Sequence, residues 1–305
     1  MNLRRALTIF VARIFSKKLG LSHGGDADGI ISAALFLRAN PDAYIVFAEP
    51  WEVNKGIIKL IKWDFVADLP SPKKAKVRVD HHQTNEPGAD LEYHDPQAPS
   101  AASLAIKALK LESDSEAVKL VELANQCDTA NISSSEAWDL NDAVKGASYG
   151  DKVKLAKLLA VKGVKTLQEP FLKPLIEKNR RRRIATYALV EKLPISEVMV
   201  MDVDNGERFS IRGLMIELEK RGAKLTCALT PRVRGYKLHV GARVDSEFDS
   251  AELASKLGGG GHKWAAGAIV DSKERAYKAI KEYLCVDKLR VFKVNASGEV
   301  EEMVV

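Results

Sequence analysis

Residues 65–82 read FVADLPSPKKAKVRVDHH, two short apolar runs that each stop at a carboxylate: Phe65 to Asp68, then Val77 to Asp80. β-Branched runs of this length, bounded by prolines and lysines, predict strands and not helices. Outward from them, a further strand is expected at Tyr44 to Ala48 and a helix near residues 51–62. Strand and helix thus alternate, the pattern of a parallel sheet covered on both faces. Ligands of such sheets gather beyond the carboxyl ends of the strands, so Asp68 and Asp80 mark where a site is expected.

From about residue 101 to 163 the pattern turns helical. The stretches SAASLAIKALKL and SEAVKLVELANQ carry apolar residues three and four apart, which predicts a helical cover. Residues 165–192, with RRRR at 180–183, read as one long basic helix closed by Leu193-Pro194, because the residue before proline is disfavoured in a helix. A second alternation begins near Glu197. Strand VMVMDV, a helix from Ile211, strands LTCALT and YKLHVGARV, a helix from Ser250, a glycine run and a helix from Lys273 predict a small mixed-sheet domain. Its tail VFKVNASGEVEEMVV predicts a hairpin over Ala296 to Gly298. The expected α/β organisation is a parallel-sheet domain over residues 1–164, a connecting basic helix and linker over 165–194, and a smaller mixed-sheet domain over 195–305.

Composition sets the class. Of 305 residues 46% are hydrophobic and 29% charged, which fits a globular chain and excludes a disordered or coiled-coil one. Lys plus Arg exceeds Asp plus Glu by 47 to 41, a formal +6 that mildly favours anionic partners such as nucleic acid. Cys127, Cys227 and Cys285 form no CxxC pair, so neither a zinc knuckle nor a disulfide framework is expected, and a reducing cytoplasm fits. Residues 1–17 read as an amphipathic first helix and not as a secretory signal, since Arg13 interrupts the apolar run and no A-x-A site follows. No run of 18 apolar residues occurs, so no membrane association through a spanning helix is expected.

Four constellations carry chemistry. In Ser22-His23-Gly24-Gly25-Asp26-Ala27-Asp28-Gly29 an imidazole and two carboxylates lie at a strand-to-helix turn, and the small residues let the backbone aim all three at one point. The plain alternative is an N-capping aspartate beside an incidental histidine. Asp80-His81-His82 follows a strand, so successive side chains point opposite ways. Asp68, between these motifs in sequence, is positioned to bridge two cations, and Asp128 follows a helix as a further candidate ligand. Finally, Gly258-Gly259-Gly260-Gly261-His262, with Arg243 upstream, offers backbone N–H groups and positive charge to an anion.

These ordered motifs resemble those of the DHH phosphoesterase superfamily. The glycine run is similar to the GGGH signature of the C-terminal domain found with it in RecJ-type nucleases, nanoRNases and cyclic-dinucleotide phosphodiesterases. The resemblance spans residues 22 to 267. It implies that His23, Asp26 and Asp68 hold one divalent ion and that Asp28, Asp68, His81 and Asp128 hold another. It further implies that His82 contacts the scissile phosphate and that Asp80 orients His81. By the same resemblance the active site is expected in the cleft between the two domains, where Gly259, Gly260, Gly261 and His262, with Arg243, would grip a substrate phosphate. The implied cofactor is a pair of Mn²⁺ ions, with Mg²⁺ or Co²⁺ as substitutes, and the implied reaction is in-line attack of water on a phosphodiester. The leading expectation is an exonuclease or oligoribonuclease acting on short single-stranded oligonucleotides. Hydrolysis of small nucleotides (a cyclic dinucleotide, its linear product or a phosphoadenosine phosphate) and a catalytically silent nucleic-acid-processing protein are the alternatives. Expected partners are those substrates, together with a second copy in a homodimer or a replication or repair protein.

Overall fold

The computed structural model describes residues 3–83, 85–129, 131–204 and 206–305. The chain divides into two compact units at Asn179 and Arg180. The first unit runs α1 (Leu3–Ile14), β1 (Leu19–His23), α2 (Ala27–Ala39), β2 (Tyr44–Ala48), α3 (Gly56–Leu60), β3 (Trp63–Ala67), β4 (Ala75–Asp80) and β5 (Ala89–His94). The helices α4 (Ala101–Ala108), α5 (Ser115–Asp128), α6 (Ser135–Gly146) and α7 (Tyr149–Lys162) follow, then α8 (Lys173–Val190), within which the division falls.

Among the described residues the first unit holds a five-stranded sheet, order β2-β1-β3-β4-β5, with every pairing parallel. Its central strands are apolar almost throughout because both faces are covered. On one face α2, α4, α5 and α7 bury Phe36, Phe65, Val79, Leu120 and Leu159, with the Phe36 and Phe65 rings stacked 5.0 Å apart. On the other, α1 and α3 bury Ile9, Ala12, Leu21, Ile58, Trp63 and Val66. From β1 the chain crosses to β2 on one side, and β3 lies on the other. The switch point where a ligand is accommodated therefore lies beyond His23 and Ala67.

Gly29 makes the close approach of α2 to β1 possible. A Cβ at this position would collide with the carbonyl oxygen of His23. Gly29→Ala is expected to cost about 1–3 kcal/mol through overpacking, read as a lower melting temperature, with the neighbouring Asp26 and Asp28 displaced together.

Three elements depart from the sequence expectation. The helix near 51–62 is broken into a 3₁₀ turn, Pro50–Glu52, and α3, the interruption falling where Gly56 takes φ +52. The stretch 165–192 is not one helix. Two 3₁₀ turns, Gly163–Gln168 and Pro170–Leu172, precede α8, and Glu169 before the proline is extended at ψ 130. β5 was not foreseen, since ADLEYH is a partly exposed edge strand whose charges hide the alternation.

The second unit runs β6 (Val198–Val203), α9 (Ile211–Lys220), β7 (Leu225–Pro231), β8 (Tyr236–Ala242), α10 (Ser250–Ser255), β9 (Gly260–His262), β10 (Ala265–Val270), α11 (Lys273–Leu284), β11 (Arg290–Val294) and β12 (Val300–Val304). Its seven-stranded sheet, order β12-β11-β6-β7-β8-β10-β9, is mixed: β11, β6 and β7 are parallel, and the other pairings antiparallel. Helices α10 and α11 cover one face over Val200, Leu238 and Val240, while α9 covers Met199, Met201 and Phe292 on the other. Of the glycine run, Gly260 and Gly261 enter the edge strand β9 against β10, while Gly258 and Gly259 precede it. The hairpin of β11 and β12 turns over residues 295–299 as expected. Among the described residues no helix is long and apolar enough to cross a membrane.

Candidate metal centre

His23 closes β1, and its Nδ1 lies 2.9 Å from Asp26 Oδ2 and 3.1 Å from Asp68 Oδ2. Asp26 is the N-cap of α2, its Oδ1 accepting from the Gly29 N–H at 3.1 Å. This cap leaves Oδ2 for His23, so one aspartate starts the helix and faces the cluster. Asp68 follows β3 at φ +55, a left-handed conformation that aspartate tolerates better than most residues. Its N–H donates to the Val79 carbonyl at 3.0 Å, which fixes the turn.

The other half of the cluster comes from α2, β4 and α5. His81 Nε2 lies 3.7 Å from Asp68 Oδ1, 3.7 Å from Asp28 Oδ2 and 3.5 Å from Asp128 Oδ2, the last at the end of α5. Asp28 is fully buried and also accepts from the N–H groups of Ala101 and Ala102 at 2.7 and 2.8 Å, capping α4. His82 Nδ1 lies 2.9 Å from Asp80 Oδ1 and 3.4 Å from Asp68 Oδ1. Three sets of donors result: His23, Asp26 and Asp68; Asp28, His81 and Asp128; and Asp68, His81 and His82.

The electrostatics identify what this cluster is suited to hold. Asp68 Oδ1 and His81 Nε2 are buried without a hydrogen-bond partner, a costly arrangement for facing polar atoms. Burial, and then the charges of Asp68, Asp26 and Asp128, push Asp28 well above the usual carboxylate range. Burial and the Asp26 charge raise Asp68 to about 6 against the pull of His23, and burial likewise raises Asp128. Burial alone would lower His23, but hydrogen bonds and charge from Asp26 and Asp68 outweigh it and raise the imidazole to about 11. The site concentrates more negative charge than its own groups neutralise, and a divalent cation would reverse those shifts. Imidazole nitrogens mixed with carboxylate oxygens fit a hard to borderline metal.

Asp80 was expected to orient His81. In the structure it holds His82 instead, while His81 Nδ1 faces the Ala98 carbonyl at 3.3 Å. The cause is alternation in extended chain: Asp80 and His82 share a side and His81 points the other way. The same two-residue spacing brings in Arg78, which sequence reading missed. This fully buried guanidinium donates to Asp80 Oδ2 at 2.7 Å, Glu92 Oε2 at 3.0 Å, and the carbonyls of Leu69 and Glu86. Asn85 adds 2.7 Å to Asp80 Oδ2. Although burial opposes ionisation, His82, Asn85 and Arg78 hold Asp80 below its usual range, and Asp80 in turn raises His82. Glu49, also missed, stands 3.4 Å from His23 Nε2, just past β2.

In the second unit, a cleft of about 650 Å³ opens on β8, β9 and β10, where Gly259 and Gly260 meet Arg212, Arg232, Lys237 and His239. Those four side chains escaped the sequence reading, though Lys237 and His239 alternate along β8. Burial and the Lys237 charge lower His239 to about 4, so its ring is neutral near pH 7. Gly261 and His262 are exposed, with the His262 ring stacked on Trp264 at 6.0 Å. Arg243, just past β8, donates from Nε to Asp245 Oδ1 at 2.6 Å.

Comparison with known proteins agrees with both units. Residues 196–284 match the model of the DHHA1 domain. The pGpG-specific phosphodiesterase PggH of Vibrio cholerae superposes with a TM-score of 0.69 at 19% identity, over 88% of this chain and 98% of that one. RecJ of Thermus thermophilus, in complex with Mn²⁺, gives a TM-score of 0.58 at 17% identity, over 92% of this chain and 53% of that one. An uncharacterised MG371 homolog of Mycoplasma pneumoniae is 26% identical over 230 residues, 68% of this chain. The match spans 63% of that relative, less than two thirds of its length. Residues 196–284 thus match the DHHA1 domain, and the chain shares its fold with PggH and RecJ.

Proposed function

We propose that the chain is a two-metal phosphodiesterase that releases nucleoside monophosphates from short single-stranded RNA or DNA, with Mn²⁺ as its metal. One observation carries this reading: Asp68 belongs to two donor sets, and its partnerless Oδ1 faces the partnerless His81 Nε2. His23, Asp26 and Asp68 would hold one ion, and Asp28, Asp68, His81 and Asp128 the other. When bound, such a pair supplies Lewis acidity toward the phosphoryl oxygens and an acidified water. His82, fixed by Asp80, donates to a phosphoryl oxygen as negative charge builds there. In the DHHA1 domain, Arg212, Arg232 and Lys237 beside Gly259 and Gly260 suit a further phosphate.

The PggH likeness, which extends over 98% of that chain, favours dinucleotides as a second reading of the substrate. Incubation with Mn²⁺ and end-labelled RNA and DNA, from dinucleotides to oligomers, beside cyclic dinucleotides distinguishes the two. A ladder of mononucleotide steps supports the first, and turnover of dinucleotides alone supports the second. Inertness toward every phosphodiester with the metal bound rejects both.

Charge reversal in the cleft provides a prediction. Arg232→Glu with Lys237→Glu is expected to raise KM for oligonucleotides about tenfold or more, to leave kcat near wild type, and to flatten the salt dependence by about 0.7 per lost phosphate contact. Steady-state kinetics at several salt concentrations check it.

A further inference from the structure

Helix α1 carries an apolar face that nothing in its own unit covers. Leu3, Leu7, Phe10 and Ile14 are 83%, 59%, 61% and 58% exposed, and their spacing of four, three and four lines them along one side of the helix. The opposite side is occupied: Ile9 and Ala12 enter the core and Arg5 pairs with Glu52 at 2.6 Å. Four large apolar side chains, each more than half exposed, make a patch on the order of 400 Å², the size at which an exposed surface marks an interaction site.

The spacing is also symmetric. In an antiparallel pair of α1 helices about a two-fold axis, Leu3 meets Ile14 of the second copy and Leu7 meets Phe10. The small Ala6 and the half-buried Val11 meet each other along the margin. Such an isologous contact asks a surface to complement itself, which this stripe does. At about 400 Å² per partner the stripe is on the order of half the roughly 800 Å² of a standard interface, the size of a weak, concentration-dependent dimer. An anionic membrane would instead need free cations beside the stripe. The neighbouring ones are already engaged: Arg5 with Glu52, Arg13 with the Lys62 carbonyl, Lys17 with Asp42 and Lys18 with Asn40.

We infer that α1 is the contact between two copies of this chain, paired antiparallel through Leu3, Leu7, Phe10 and Ile14. The inference is independent of the proposed chemistry. Size-exclusion chromatography with light scattering on this 305-residue chain is expected to give twice its 33.5 kDa mass, and Leu7→Glu with Phe10→Glu to halve it. Both substituted positions are exposed, so an unchanged far-ultraviolet circular-dichroism spectrum is expected and shows that folding survives. To test geometry, Leu7→Cys with Phe10→Cys, in a chain whose exposed Cys285 is replaced by serine, is expected to form an intermolecular disulfide under mild oxidation, whereas Leu3→Cys with Leu7→Cys is not. A wild-type monomer at high micromolar concentration overturns the inference. So does a dimer that survives Leu7→Glu with Phe10→Glu, or a monomer that floats with anionic phosphatidylserine vesicles.

Discussion

Asp68→Asn is expected to lower kcat by about 10³-fold or more, at or beyond the upper end of what losing a single charge-stabilising group costs an enzyme. The substitution keeps shape and removes the one carboxylate common to two donor sets. Metal binding and folding report on it separately. In the metal-free protein Asp68 sits near 6, above its ordinary 3.8. A carboxyl raised on folding is destabilising once it ionises, so metal-free stability should fall as pH climbs from about 4 through 6. Asp68→Asn removes that contribution. Its melting temperature in chelator should therefore match or exceed wild type near pH 7, while the gain on adding Mn²⁺, about 2.7 kcal/mol at a hundredfold excess over Kd for wild type, should largely vanish. A variant that keeps full turnover, or that keeps the full metal-induced gain, contradicts the bridging role.

The second large effect is expected at Arg78, outside the three donor sets. Arg78→Met leaves the buried Asp80 without its guanidinium and two carbonyls without a donor, a loss of about 3–5 kcal/mol, measured as a lower urea midpoint with an unchanged slope. His82 depends on Asp80 for its orientation, so kcat should fall about 10 to 100-fold as well. Adding Asp80→Asn should restore part of the stability, because the fully buried unpaired charge is gone and only the part-exposed Glu92 stays without its guanidinium, and restore none of the activity. Recovery of both would mean that the ion pair serves packing alone.

Where each residue's neighbours are close in sequence, the reading from sequence reached far. Strand ends announced Asp68 and the Asp80 to His82 run, because a β-branched run ending in a carboxylate is a local pattern, and the glycine-rich turn after β1 announced His23, Asp26 and Asp28 in the same way. Arg78 stayed hidden because its partners, Glu92 and the carbonyls of Leu69 and Glu86, come together only after β3, β4 and β5 align. The basic residues of the second-unit cleft come from α9, β8 and the strand end near Arg232, three segments that only the sheet assembles. The role of Asp80 was misassigned because adjacency in sequence suggested His81, whereas extended backbone puts alternate residues on one side. Glu49 lies past the unremarkable strand Tyr44–Ala48, and nothing local distinguishes it from a surface acid.

Asp28 links chemistry to architecture. The same carboxylate that stands beside His81 accepts both leading amides of α4, the first helix of the cover over the sheet. An ion held at the cluster would share this carboxylate with the start of α4, so amide exchange at Ala101 and Ala102 would change on metal addition and serve as a gauge of occupancy.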